Sequence, residues 1–143
     1  MLNYNEVVSK LREIARDSIR LIMVARRRSN LYEANQTLDS INEEIIYTNK
    51  KFAIEDYKIS KIDDNDPEKE DKLKLNAEVK KSLENTIERC NKEIETQNKI
   101  IADITTSIED VQDGKVKINT EELNAVTKDL IKKVTESIAT EVK

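Results

Sequence analysis

A seven-residue apolar repeat between residues 83 and 111 constrains this chain more than any other feature. Leu83, Ile87, Cys90, Ile94, Gln97, Ile101, Ile104, Ile108 and Val111 recur at alternating steps of four and three. On an α-helix that spacing keeps them all on one narrow seam, interrupted in polarity only at Gln97. A helix with such a seam cannot cover it alone, so a second helix must lie against it.

Composition points the same way. The 143 residues include one glycine, one proline and 3% aromatic residues, against 38% charged ones. A rounded globule needs turns and bulky core side chains, and both are scarce. The profile is that of long helices and coiled coils. Disorder is the competing reading of so much charge, and the periodic isoleucines and leucines argue against it.

A weaker repeat comes earlier. Leu31, Leu38, Ile45, Phe52 and Ile59 stand seven apart, accompanied by Ala34, Ile41, Thr48, Glu55 and Ile62, which are apolar only in part. Upstream, turning the stretch from about Asn3 to Arg28 by 100° per residue places Val7, Leu11, Ile14, Ser18, Leu21, Ile22 and Ala25 on one face. Arg12, Arg16, Arg20 and Arg27 fall on the opposite face. Neither glycine nor proline separates the two stretches, so one helix is expected over residues 3–62, with a shift of face near Arg26-Arg27-Arg28.

Asp63-Asp64-Asn65-Asp66-Pro67-Glu68 is the clearest turn signal. Asp66 suits a helix N-cap, Pro67 the first helical position, and Glu68 the positive end of the helix dipole. A calcium loop would need a glycine at its sharp turn and a bidentate glutamate where Lys74 stands. A reversal at residues 63–67 pairs positions whose numbers sum to about 132. Ile59 then meets Leu73, Ile45 meets Ile87, Leu38 meets Ile94 and Leu31 meets Ile101. Each arm of about 30 residues would span roughly 45 Å, giving a rod.

The second helix is expected over residues 67–112, closed by Gly114 in a left-handed cap. Residues 113–119 form a connector in which Lys115-Val116-Lys117-Ile118 alternates as a short strand would. Asn119 with Glu122 reads as a capping box for a third helix over residues 120–142, with Thr120 the other candidate cap. Leu123, Val126, Leu130, Val134 and Ile138 supply its apolar stripe. The expected fold is all-α: a long antiparallel helical hairpin (coiled coil) with a third, C-terminal helix packing near the N-terminal helix, in one elongated domain over residues 1–143. In that arrangement the third helix lies on Val7, Leu11, Ile14 and Leu21. The alternative leaves both terminal helices to close their faces in an oligomer.

Several chemistries are excluded by residue type. The chain has no histidine and one cysteine, which removes histidine-based nucleophile arrangements, zinc sites within one chain and any internal disulfide framework. Cys90 reads as a small buried hydrophobe, with a disulfide across a parallel dimer seam as the alternative. No glycine-rich phosphate loop is present. Carboxylate pairs such as Glu43-Glu44 and Glu121-Glu122 read as solvated faces and caps. With so few aromatic residues to wall a pocket, the expectation is no enzyme, no cofactor, no metal and no small-molecule substrate. No apolar run approaches the roughly 18 residues of a membrane span, and no classical secretory signal is evident. The glycosylation triplet Asn35-Gln36-Thr37 is accordingly read as accidental. The expected location is cytoplasmic, or within a virion or other assembly.

Charge distribution supplies the functional expectation. Residues 1–28 carry seven basic and three acidic side chains, leaving −8 for the remainder of a chain whose net charge is −4. Six of the seven arginines lie in this segment, and arginine is the better residue for planar contact with carboxylate or phosphate. One reading is a solvated face laced with intrahelical pairs among Glu13, Arg16, Asp17 and Arg20. The other is a contact surface built from Arg12, Arg16, Arg20, Arg26, Arg27 and Arg28, joined by Leu123, Leu130, Val134 and Ile138 where the third helix is undocked. The expected role is that of a structural or protein-interaction component, adaptor or scaffold, with a protein partner or self-association. A nucleic-acid-binding regulator using the arginine segment is the alternative, opposed by the net negative charge and the lack of aromatic platforms for bases.

Overall fold

The computed structural model describes residues 3–142, and among them contains three α-helices and no strand. These are α1 (Tyr4–Ser60), α2 (Lys69–Gln112) and α3 (Thr120–Val142). Each expected helix is present, with ends displaced by two residues at most. The stretch at 115–118 is a connector.

The helix ends follow from local chemistry. Asn3 and Glu6 form a reciprocal box: Asn3 Oδ1 accepts from the Glu6 N–H at 2.9 Å, and Glu6 Oε2 accepts from the Asn3 N–H at 3.4 Å. Asp66 caps as expected, its Oδ1 accepting from the Glu68 N–H at 2.8 Å. Its carbonyl takes the Lys69 N–H in a tight i→i+3 bond at 3.1 Å. Regular helix therefore begins at Lys69 and not at Pro67. Gly114, at φ 73°, ends α2 in a Schellman motif, with Lys115 N–H bonded to Asp110 C=O at 2.9 Å and Gly114 N–H to Val111 C=O at 3.1 Å. Asn119 Oδ1 accepts from the Glu121 and Glu122 N–H groups at 2.8 and 3.2 Å, so Asn119 caps α3.

The chain divides into two compact units, one of residues 1–30 with 104–143 and one of residues 31–103. In the second unit α2 returns antiparallel along α1. Glu44 pairs with Arg89 at 2.6 Å, the Asn76 amide donates to both Glu55 C=O and Glu55 Oε2 at 3.0 Å, and Asp56 pairs with Lys80. These contacts lie close to the expected register. The buried residues are Ala34, Ile41 and Thr48 on α1, with Asn76, Leu83 and Cys90 on α2, each series at intervals of seven.

The series expected to form the principal seam of α1, Leu31 to Ile59, is only half-buried. Two helices cover little more than each other's centre line, so Ala34, Ile41 and Thr48 on that line are enclosed while Leu31, Leu38, Ile45, Phe52 and Ile59 flank it half-buried. Thr48 tolerates enclosure because its hydroxyl donates to Glu44 C=O at 2.8 Å. On α2, every member of the repeat from Leu83 to Val111 is buried or half-buried.

In the first unit, Ala15, Ile19 and Leu123 form a buried cluster, with Met23, Ile118, Val126 and Leu130 packed around it. Val24 and Val111 are buried as well. α3 thus packs on α1, but only in part on the face expected from the sequence: Val7 and Leu11 are half-buried, whereas Ile14 and Leu21 are not covered. Ile14, Leu21 and Ile22 are 51%, 71% and 49% exposed. The covered line is Leu11, Ala15, Ile19 and Met23, each four residues apart, where Ala15 lets a neighbouring helix approach closely. Residues 3–28 carry two apolar faces, and the one that packs is centred on Ala15 and Ile19, while Ala25 on the other is exposed.

Candidate protein-contact surface

The arginine segment lies wholly in the first unit, and the structure splits it. Periodicity places Arg12, Arg16, Arg20 and Arg27 away from the packed face, yet all four are half-buried. Arg12 Nη1 donates to Asn124 Oδ1 of α3 at 3.1 Å. Arg27 Nε donates to Ser107 Oγ of α2 at 2.7 Å and its Nη1 to Met23 C=O at 3.2 Å. Arg20 reaches Asp17 at 3.9 Å, lies beside Gly114, and keeps its Nε enclosed without a hydrogen-bond partner among the described residues. Arg20 and Arg27 stand fourteen and seven residues before Ala34, the position that goes on to Ile41 and Thr48. Their stems occupy packing positions while their guanidinium groups reach polar atoms at the edge.

Arg16, Arg26 and Arg28 have no ion-pair or hydrogen-bond partner among the described residues, and Arg26 and Arg28 are exposed. Arg28 stands beside the apolar face of α1 that remains uncovered. With Asp17, Arg20, Leu21, Val24 and Gln112 it lines an open cleft of about 360 Å³. Its apolar lining is Leu21 and Val24; of its two guanidinium groups Arg20 faces the Asp17 carboxylate of the same cleft, which leaves Arg28 unpaired among the described residues. Such a cleft suits an apolar side chain with a neighbouring carboxylate.

The third-helix candidates also divide. Leu123 is buried and Leu130 half-buried against α1, so both are committed within the chain. Val134 and Ile138 are exposed, and every side chain from Lys132 to Glu141 faces solvent. Periodicity alone assigns Ile14, Leu21 and Ile22 to the core, and so misses them as exposed candidates for contact. The available signal is the seven-residue count backward from Ala34, which puts arginine stems rather than Leu21 in line with the packed face.

The second unit offers less. Tyr32, Tyr47 and Tyr57 are exposed, but the Tyr32 hydroxyl accepts from Gln36 at 2.7 Å, and Lys51 and Lys61 sit over Tyr47 and Tyr57 at 4.4 and 5.3 Å. A cleft of about 450 Å³ beside the turn is floored by Ile59, Ile62, Leu75 and Val79. Of the charges that line it, Asp66 pairs with Lys72 at 2.5 Å, Glu55 pairs with Lys58 at 3.1 Å, and Lys61 sits over Tyr57. The Lys72 bond and the Glu68 N–H hold the Asp66 carboxyl below the usual range, and Asp66 in turn raises Lys72. Cys90 is buried; burial, then the Glu44 carboxylate, pushes its thiol up, which disfavours the reactive thiolate.

Among the described residues no group of three or more ligating side chains is placed to hold a metal ion, and no helix is long and apolar enough to cross a membrane. Compared with family models, curated proteins and solved structures, the chain gives no match.

Proposed function

We propose that this chain is a non-enzymatic structural or interaction protein that serves an assembly as component, adaptor or scaffold, engaging a partner helix through the uncovered face of α1 in the first unit. The observation that carries this reading is the coincidence of Ile14, Leu21 and Ile22, 49–71% exposed, with Arg26 and Arg28, exposed and unpaired among the described residues. Large apolar side chains held in water cost roughly 1.5–3 kcal/mol each relative to burial, which a partner recovers. The flanking arginines supply orientation and favour a partner bearing carboxylates.

A photo-reactive side chain placed at position 21 of the full chain tests the reading in its native source. Cross-links to protein, whether to another chain or to a second copy, support it. Their absence, with the fold intact by circular dichroism, overturns it.

A nucleic-acid contact draws on the same unpaired arginines. It predicts affinity that falls steeply with salt and disappears when Arg26 and Arg28 become alanine. The apolar side chains beside those arginines favour the protein reading, since phosphate contact makes no use of isoleucine and leucine.

A further inference from the structure

The first unit contains two uncovered helix faces, and they match each other. On α1, Leu21, Ala25 and Arg28 follow steps of four and three; on α3, Val134, Ile138 and Glu141 follow the same steps. At 100° per residue each trio occupies one narrow face of its helix. All six side chains are exposed, with Leu21 and Ile138 at 71% and 57%.

Each trio is apolar at its first two positions and charged at the third, and the charges are opposite. Lys132 falls on the far side of α3 from Val134, so the α3 face presents an acid without an adjacent base. Neither Arg28 nor Glu141 has an ion-pair partner among the described residues. Within the cleft, Leu21 and Val24 form an apolar floor and Arg28 stands at the rim.

We propose that the occupant of the α1 cleft is α3 of a second copy of this chain, docked parallel to α1 with Val134 against Leu21, Ile138 against Ala25 and Val24, and Glu141 beside Arg28. This deepens, and rests on, the reading of the α1 face as a protein-contact surface. The exchange is reciprocal, because each chain carries one face of each kind, and it closes as a symmetric dimer. The N-terminal half of α3 stays on its own α1 through Leu123, while the half from Lys132 onward reaches the partner. Parallel packing at a shared four-three spacing lets each apolar residue sit between residues of the facing helix, as in a heptad seam.

Sedimentation equilibrium on the full chain tests this. The wild type is expected to be a dimer. Ile138→Asp and Leu21→Glu, at exposed positions, should leave the helical signal unchanged and weaken dimerisation more than about 100-fold, each loss being counted at two contacts. Arg28→Glu and Glu141→Arg should each weaken it about 10-fold, and the combined exchange should restore most of the affinity. A monomeric wild type at about 100 µM, on the order of a weak association, would overturn the proposal. So would a double exchange no better than either single change, or a dimer indifferent to Ile138→Asp. A cross-link from position 21 only to a different protein sinks this inference while leaving the proposed function standing. The absence of any protein cross-link sinks both.

Discussion

The two units cover α1 in different ways. Residues 31–103 carry 12 basic and 18 acidic side chains; the other unit carries 13 and 11. The acidic unit encloses a single line of residues, Ala34, Ile41 and Thr48 against Asn76, Leu83 and Cys90, and satisfies Thr48 within its own helix and Asn76 across the pair on Glu55. In the basic unit α1 has two neighbours, α2 and α3, so Ala15 and Ile19 are buried in a true cluster while arginine stems fill the flank. Covering that face leaves Ile14, Leu21 and Ile22 over. The proposed contact surface therefore lies in the basic unit, because there the exposed apolar residues of α1 stand beside arginines unpaired among the described residues.

Truncation of the two apolar faces of α1 puts this contrast at greatest risk. Ile19→Ala and Leu123→Ala should each lower the stability of the chain by about 2–4 kcal/mol in urea unfolding followed by circular dichroism. Ile14→Ala and Leu21→Ala should change it by no more than about 0.5 kcal/mol in the monomer. Equal costs at Ile14 and Ile19 would mean that α3 covers the other face.

In the acidic unit, Asn76→Ala removes two hydrogen bonds to Glu55 at a buried position. A loss of about 1–2 kcal/mol is expected by the same measurement. No loss would show that the polar member of that line does not help hold the pairing.

Gly114→Ala probes the basic unit more finely. The added Cβ would lie 3.6 Å from Arg20 Nη2, an ordinary contact, so the cost arises from the left-handed backbone alone. It should be about 1 kcal/mol, and Arg20→Ala should not relieve it. Relief would reveal a steric rather than a conformational origin.

The smallest effect concerns pH. Because the folded Asp66 carboxyl is held below its ordinary value by Lys72 and the Glu68 N–H, its contribution is fully present above about pH 4 and fades as the pH falls through that lowered value. Lys72, raised by Asp66, loses its share only as the pH climbs beyond about 10. Urea midpoints of wild type and Asp66→Asn should therefore differ between about pH 5 and 8 and converge in acid, a window set by the ordinary aspartate and lysine values. A constant difference would remove Asp66 from the acid limb.

The three helices, the caps at Asn119 and Asp66, the left-handed Gly114 and the full seam from Leu83 to Val111 were legible in the residues, because periodicity and capping are local. The register near a sum of 132 was legible too, since one turn between two periodic segments leaves few alternatives. The candidate surface was only half legible. Arginine abundance marked the right segment, but which arginines remain free depends on Asn124, Ser107 and Met23, partners brought close only by folding.

What residue order decided without help was where helices start, stop and turn back, for those choices are made within a few residues by hydrogen-bonding groups and backbone freedom. Which of two apolar faces of α1 goes inside was decided only when α2 and α3 arrived together. Ala15 admits a closely packed neighbour, long arginine stems can be half-buried while their charges stay in reach of polar atoms, and no count along a single helix weighs those two effects against Leu21.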